Sequence, residues 1–276
     1  MEKELEKILK NEFINFNGNY AIYANDYKGN IISINEKEKF NAASCIKIFI
    51  LVELFRQIYF NEKSLDEKLK YEEDNFVKGS GILQYLTQGL ELSVKDVATL
   101  MMIISDNVAT NIMIDYLGIN NINRTIKDLG CLDTELYCKF ESCDDKIFSV
   151  TTAKDYSHIY ELINEEKLWD KSISKEIINI LKNQKYHEML GDGIPKIYTK
   201  TDNNILNYVI SKSGKYQSVR NDGGMVSTKY GNYILSIFIK DFLDKDYLND
   251  EDIYKYGKNI SNILFNRYIA LKGKFN

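Results

Sequence analysis

The sequence is poor in proline and histidine, and each shortage argues against one feature: a proline-rich linker or a histidine-based metal site. One proline among 276 residues leaves no proline-rich linker between domains. The two histidines, His158 and His187, stand in neither an HExxH motif nor a similar metal-binding spacing. We therefore expect no histidine-based metal site.

Cysteine is scarce as well. The four cysteines are Cys45, Cys131, Cys138 and Cys143, and no two of them form a CxxC pair. A chain of this length has room for a sizeable core and does not need disulfides to be stable. We expect free thiols.

Long apolar runs and excess positive charge are also missing. No run approaches the length of a membrane span, and the net charge of −4 with a pI near 5.5 indicates neither nucleic acid nor an anionic membrane surface as a partner. The opening segment, MEKELEKILKNEF, has helical spacing and lacks the apolar core and cleavage site of a signal peptide. We expect a soluble chain, cytoplasmic as it stands.

What remains is the composition of a globular protein, with 44% hydrophobic and 28% charged residues. Helical periodicity and strand-like alternation divide the chain into segments. Strands are predicted near both ends, at residues 20–25, 30–35, 207–213, 219–227 and 233–240. Helices are predicted at residues 2–15, 44–60, most of 61–190, and 251–269.

These segments predict an α/β fold of the α+β type with two lobes. An isolated hairpin is at best marginally stable in water, so the first two strands are expected to share one sheet with the last three. The result is an antiparallel five-stranded sheet flanked by the terminal helices, plus an all-helical lobe, with a cleft where the lobes meet. We expect a single domain over residues 1–276, its sheet lobe at about 1–60 and 207–276 and its helical lobe at about 61–206.

The stretch NAASCIKIFILVELF, residues 41–55, places Lys47 at the start of an apolar helix. Residues three apart are helix neighbours, so its ammonium can reach the hydroxyl of Ser44. Apolar surroundings and the helix N-terminus disfavour the charged form of lysine, and a neutral lysine can activate serine as a nucleophile. The alternative is a serine cap and a lysine that reaches solvent; Ser172 and Lys175 repeat the spacing with nothing around them.

Two later stretches carry polar groups to the edge of the helical lobe and the end of a strand. Ser105-Asp-Asn107 lies between two apolar helical segments, and Lys212-Ser-Gly214 ends an apolar strand. The first could be ordinary capping. The second could be a charged strand end, or a cleft wall in which glycine permits close approach of a substrate.

Together, in this order, the three motifs resemble the signature set of the penicillin-recognising serine enzymes, most closely the class A β-lactamases. The resemblance covers nearly the whole chain. It extends to TLMMIISDNVATNIMIDYLG at residues 99–118, GSGIL at 79–83, TTAKD at 151–155 and KSGKYQSVRND at 212–222. It implies the β-lactamase and transpeptidase fold in a single catalytic domain.

The resemblance also implies catalytic roles. Ser44 would be the acylated nucleophile and Lys47 its proton acceptor or part of the proton relay. Ser105 would pass a proton to the leaving nitrogen, and Asn107 would hold the side-chain amide of the substrate. The backbone N–H groups of Ser44 and Lys215 would form the oxyanion hole, whose donors lower a barrier by several kcal/mol.

The substrate carboxylate has its own implied site. Lys212 and Ser213 would bind it, helped by Arg220 on the neighbouring strand, and Gly214 would let the substrate backbone approach. The resemblance implies no metal and no organic cofactor.

One feature departs from the family. Class A enzymes carry an omega-loop glutamate that activates water to hydrolyse the acyl-enzyme. The best counterpart is Glu141 in KFE, with Asp144 as a second candidate, but the Leu-Asn pair that follows in the family is missing and the loop to Thr151 is short. A solvated acidic loop without a catalytic role is an equal alternative.

Three functions stay open. The first is a β-lactam hydrolase. The second is a D-alanyl carboxypeptidase-like or other amide or ester hydrolase without an efficient deacylation base. The third is a penicillin-binding sensor that does not turn over. The expected partner is a small β-lactam or D-Ala-peptide-like molecule, or another amide or ester in the second case, and we expect a monomer.

Overall fold

A computed structural model describes residues 2–142, 147–198, 205–242 and 250–270. Its main sheet is antiparallel and consists of β1 (Asn19–Asn25), β2 (Ile31–Ile34), β8 (Leu206–Ser211), β9 (Gly214–Tyr216), β10 (Val219–Thr228) and β11 (Gly231–Lys240). The strand order is β2-β1-β11-β10-β8, with β9 paired to the N-terminal end of β10.

Short strands occur outside the main sheet. They form one three-stranded and one two-stranded sheet from β3 (Phe40–Asn41), β4 (Lys68–Lys70), β5 (Glu91–Ser93), β6 (Glu135–Leu136) and β7 (Ser149–Thr151). The expectation of an all-helical second lobe is therefore wrong. Strands of two or three residues are too short to show an alternating pattern.

Helices cover both faces of the main sheet. They are α1 (Glu2–Glu12), α2 (Lys47–Tyr59), α3 (Val94–Ile103), α4 (Asn107–Leu117), α5 (Ile119–Asp128), α6 (Ala153–Asn164), α7 (Lys171–Leu181) and α8 (Asp250–Phe265). In the described part of the chain, no helix combines the length and apolarity needed to cross a bilayer.

The sheet separates two hydrophobic cores. One core lies between the sheet and helices α2 to α7, and the other lies between the opposite face and helices α1 and α8. Strand β10 is buried along its whole length, as expected of a strand covered on both faces. The predicted α+β architecture is confirmed, and the single-domain boundaries stay a prediction.

Candidate active site

The serine of the opening motif sits on a tight turn. Strand β3 leads into a 3₁₀-helix, Ala43–Ile46, which continues directly as α2. Ala43 has a φ of +47°, a left-handed conformation that is uncommon outside glycine, and the Asn41 side chain accepts a 2.9 Å hydrogen bond from the Ala43 N–H. Ser44 thus opens the helix from inside the turn, half-buried at the edge of a cleft.

Lys47 is fully buried one turn further on. Its Nζ donates to the Ser105 carbonyl at 2.7 Å, to Ser105 Oγ at 3.0 Å and to Asn107 Oδ1 at 2.8 Å. Burial, and then the nearby Lys212, hold the pKa of Lys47 well below its usual range. A neutral amine keeps a lone pair, so one of these partners must then donate to it, and the Ser105 hydroxyl is able to do so.

The Ser105–Asn107 segment joins α3 to α4 and is held by a buried carboxylate. Asp106 is fully buried and caps α4 by accepting from the N–H of Ala109 at 2.9 Å. Its second oxygen accepts from the N–H groups of Ile82 and Leu83 at 2.7 and 2.9 Å. The sequence prediction gave Asp106 no role, although an aspartate between two predicted site residues at a helix start was a usable signal.

The third motif lies where the edge of the sheet breaks between β8 and β9. Lys212 is fully buried, donates from Nζ to the Ser213 carbonyl at 2.6 Å and has its pKa lowered by burial. Gly214 packs directly on the turn that carries Ser44. A Cβ on Gly214 would stand 2.8 Å from the Ala42 carbonyl and 3.0 Å from the Ser44 nitrogen, so only glycine permits this approach.

Arg220 pairs with Lys215 across β9 and β10. Its guanidinium binds the Asp250 carboxylate at the start of α8, with a 2.8 Å bond from Nε, and Lys215 binds the same carboxylate. The Arg220 guanidinium also donates to the carbonyls of Gln217 and Val219. Contact with a substrate carboxylate stays a prediction for Arg220.

Phe140, not its neighbour Glu141, lies against Lys47. The ring centroid of Phe140 is 4.9 Å from Lys47 Nζ. Asn111 on α4 fixes this backbone, accepting from the Phe140 N–H at 2.9 Å and donating to the Phe140 carbonyl at 3.3 Å. Glu141 is exposed with a φ of +61°, and Asp144 lies outside the described residues.

These segments enclose a cleft of about 600 Å³. Its lining consists of Ser44, Val77, Lys78, Gly79, Ser80, Asn107, Phe140, Glu141, Phe148, Lys215, Tyr216 and Gln217. Of the predicted site residues, the structure brings Ser44, Asn107, Glu141 and Lys215 to the wall. Lys47 and Ser105 lie behind it, linked through the hydrogen bonds of Lys47.

The cysteines differ in part from expectation. Cys45 and Cys131 are free and buried, as expected. Cys138 forms a disulfide, so the expectation of a free thiol is wrong there. The spacing of the four cysteines gave no sign of this bond.

A serine and a buried lysine on one helix, a Ser-Asp-Asn turn and a Lys-Ser-Gly strand end define a serine acyl-transfer enzyme on a sheet-and-helix scaffold. A sequence profile of the beta-lactamase enzyme family matches residues 3–268. The chain belongs to this family, and the resemblance found in the motifs is confirmed.

Solved structures share the fold at low identity. A β-lactamase from Sphaerobacter thermophilus is 22% identical with a TM-score of 0.86, over 96% of this chain and 97% of its own. A protein named PBP-A is 22% identical with a TM-score of 0.85, over 98% and 96%. A single-site mutant of PBP-A, solved as an acyl-enzyme complex with penicillin G, is 22% identical with a TM-score of 0.82, over 99% and 96%. No curated protein sequence matches the chain.

Proposed function

We propose that the protein is a serine hydrolase that opens β-lactam amides through an acyl-enzyme on Ser44. The observation that carries the proposal is the buried Lys47, one turn from Ser44 and hydrogen-bonded to the side chains of Ser105 and Asn107. A lysine buried without a carboxylate partner favours its neutral form. That is the form a general base needs.

Acylation then follows from the positions of the donors and acceptors. The amine of Lys47 takes the proton of the Ser44 hydroxyl as the oxygen attacks the lactam carbonyl. The tetrahedral oxyanion accepts from the N–H groups of Ser44 and Lys215. When the ring C–N bond breaks, the Ser105 hydroxyl gives its proton to the leaving nitrogen and is reprotonated by Lys47.

Substrate is held at both ends of the cleft. The Asn107 side chain lies at the wall and is oriented by Lys47. Its Nδ2 donates to the Lys78 carbonyl at 3.4 Å, which leaves its second amide hydrogen for a substrate carbonyl. Lys212 and Ser213 supply an amine and a hydroxyl for the carboxylate that β-lactams and D-alanyl peptides share, and the bound carboxylate favours the charged form of Lys212. Arg220 would reach that carboxylate only if it gave up Asp250.

A second candidate function is a D-alanyl carboxypeptidase-like enzyme with slow deacylation. The observation that favours it is Phe140, which fills the space against Lys47 with an aromatic ring. A carboxylate there could polarise water for attack on the acyl-enzyme, whereas a phenyl ring has no proton acceptor. The exposed Glu141 remains the candidate base if the first function holds.

The two candidates separate in one experiment. The protein is mixed with a chromogenic cephalosporin while its intact mass is followed. Steady colour change without a lasting adduct supports the β-lactamase, and a long-lived adduct with little colour supports slow deacylation. If the protein produces neither a colour change nor an adduct, both candidate functions are contradicted. Ser172→Ala is the matched control for Ser44→Ala, because Ser172 carries the same spacing to Lys175 on an exposed face of α7.

The D-Ala-peptide substrate and the monomeric state are part of the proposal. Release of D-alanine from a peptide that ends in D-Ala-D-Ala tests the first. Light scattering at working concentration tests the second. The cytoplasmic location stays a prediction.

A further inference from the structure

The carbonyl of Lys212 leaves the hydrogen-bond ladder of the sheet. Lys212 donates from its N–H to the Gly223 carbonyl at 3.1 Å. In a hydrogen-bonded antiparallel pair the partner returns the bond. Here the Gly223 N–H turns to Asp222 Oδ1 at 2.8 Å, which leaves the Lys212 carbonyl free to point away from β10.

Two buried side chains donate hydrogen bonds to the Lys212 carbonyl. The Tyr156 hydroxyl on α6 donates to it, and so does Cys45 Sγ, at 3.3 Å. Both residues are fully buried. Burial raises the pKa of the Cys45 thiol and of the Tyr156 hydroxyl, so both keep their protons and act as donors at neutral pH.

This pair of bonds joins the two halves of the active site. Cys45 follows Ser44 in the same 3₁₀-turn. Its thiol therefore ties the nucleophile to Lys212, and two residues later Gly214 packs against the Ser44 and Cys45 nitrogens. A thiol is a weak donor, whereas the Tyr156 hydroxyl is a strong one anchored in a separate helix.

We propose that Cys45 and Tyr156 are positioning residues that hold the Lys212–Ser213 peptide against the turn carrying Ser44, and so set the rate of acylation. The inference rests on the proposed function. Rotation of this peptide would move the Ser213 carbonyl, to which Lys212 Nζ is bonded, and the N–H of Lys215 two residues on. Misplacement of reacting groups by about 1 Å can lower a rate on the order of a hundredfold.

The test removes one hydrogen-bond donor to the Lys212 carbonyl at a time and changes the rest of the side chain as little as possible. Tyr156→Phe and Cys45→Ala each remove one donor, and Cys45→Ser restores one. Tyr233→Phe is the matched control, because Tyr233 is equally buried and its hydroxyl has no hydrogen-bond partner among the described residues. Stopped-flow labelling with a fluorescent penicillin separates the acylation constant from the affinity of the first complex, and thermal unfolding is recorded for each variant.

We expect Tyr156→Phe to lower the acylation constant about 10- to 100-fold, Cys45→Ala to lower it by less, and Cys45→Ser to recover most of that loss. Tyr233→Phe should acylate like the wild type. Wild-type acylation constants in both Tyr156→Phe and Cys45→Ala overturn the inference. So does a loss in Cys45→Ser equal to that in Cys45→Ala. If Tyr156→Phe does not fold, the two cysteine variants decide.

Failure of the proposed function gives a different result from failure of the positioning proposal. If the proposed function is wrong, the wild type forms no adduct with the penicillin. The positioning claim is then judged from crystal structures of Tyr156→Phe and Cys45→Ala. A Lys212 carbonyl turned back toward the Gly223 N–H supports it, and a carbonyl with unchanged direction in both variants overturns it.

Discussion

At the scale of single residues, the proposed chemistry depends on the protonation of Lys47. Its pKa is lowered by burial, so the neutral base is gained as pH rises through that lowered pKa. We predict that the acylation rate rises with pH and levels off well below the pH at which an ordinary lysine loses its proton. Pulse labelling with a penicillin at a series of pH values measures it.

The control for this prediction is Lys47→Arg. A guanidinium cannot lose its proton in a protein, so this variant should acylate very slowly at every pH tested. A wild-type rate that is flat or falls with pH would contradict the role of Lys47 as base.

Phe140 gives a second prediction at this scale. Phe140→Glu would place a carboxylate beside Lys47, and general-base catalysis contributes about 10²–10⁴-fold. We expect the acyl-enzyme lifetime to fall by about one order of magnitude or more. The pH profile of acylation should also move to higher pH, because a carboxylate raises the pKa of Lys47.

Phe140→Gln is the matched control, since it has the shape of glutamate without its charge. Equal lifetimes in the two variants would show that charge at this position does not govern deacylation. A large increase of lifetime in Glu141→Gln would instead assign the water-activating role to Glu141.

At the scale of secondary-structure elements, the turn between α3 and α4 depends on Asp106. Asp106→Ala removes a helix cap, which costs about 1 kcal/mol. It also leaves the buried N–H group of Leu83 unpaired, at about 1–3 kcal/mol, and removes the acceptor of the partly buried Ile82 N–H. We predict a loss of about 2 kcal/mol or more in the free energy of unfolding, together with slower acylation, because Ser105 and Asn107 flank this residue.

Denaturant unfolding measures the loss. Asp170→Ala on α7 is the control: Asp170 is also an N-cap, but it is exposed and accepts mainly from Ser172. Similar losses in the two variants would contradict the special role given to Asp106.

Elements also show what a sequence can predict. The hairpin of β1 and β2 was predictable because Asp26 and the residues around it form a turn, with the Asp26 carboxylate accepting from the N–H groups of Lys28 and Asn30. The three motifs were visible in the sequence, but the spacing of Ser44 and Lys47 alone fits a capped helix equally well, and the resemblance over nearly the whole chain was needed to interpret it. The choice between Phe140 and Glu141 was not predictable, because it depends on Asn111, a contact 29 residues away along the chain. The ion pair of Arg220 with Asp250 was likewise not predictable, because the two residues are 30 positions apart along the chain.

At the scale of the whole molecule, the sheet buries a carboxylate between its two cores. Asp222 on β10 accepts from the N–H groups of Met189 and Leu190, yet burial raises its pKa from 3.8 to about 6. The folded protein therefore holds this proton more tightly than the unfolded chain does. Stability present at low pH is lost as pH rises between these two values.

The predicted change is about 3 kcal/mol, since each pKa unit corresponds to about 1.4 kcal/mol. Asp222→Asn cannot titrate and should lack this part of the pH dependence. Unfolding free energies at several pH values from about 4 to 7 in both proteins test it. An equal dependence of the unfolding free energy on pH in the two proteins would contradict the claim that burial raises the pKa of Asp222.

The measurement that tests the central claim most directly is the site of the covalent adduct. The protein is incubated briefly with a penicillin, quenched in acid, digested and mapped by tandem mass spectrometry. We predict that the penicilloyl group lies on Ser44, that Ser44→Ala carries none, and that Ser172→Ala is labelled like the wild type. An adduct on any other residue, or an undiminished adduct in Ser44→Ala, would contradict it.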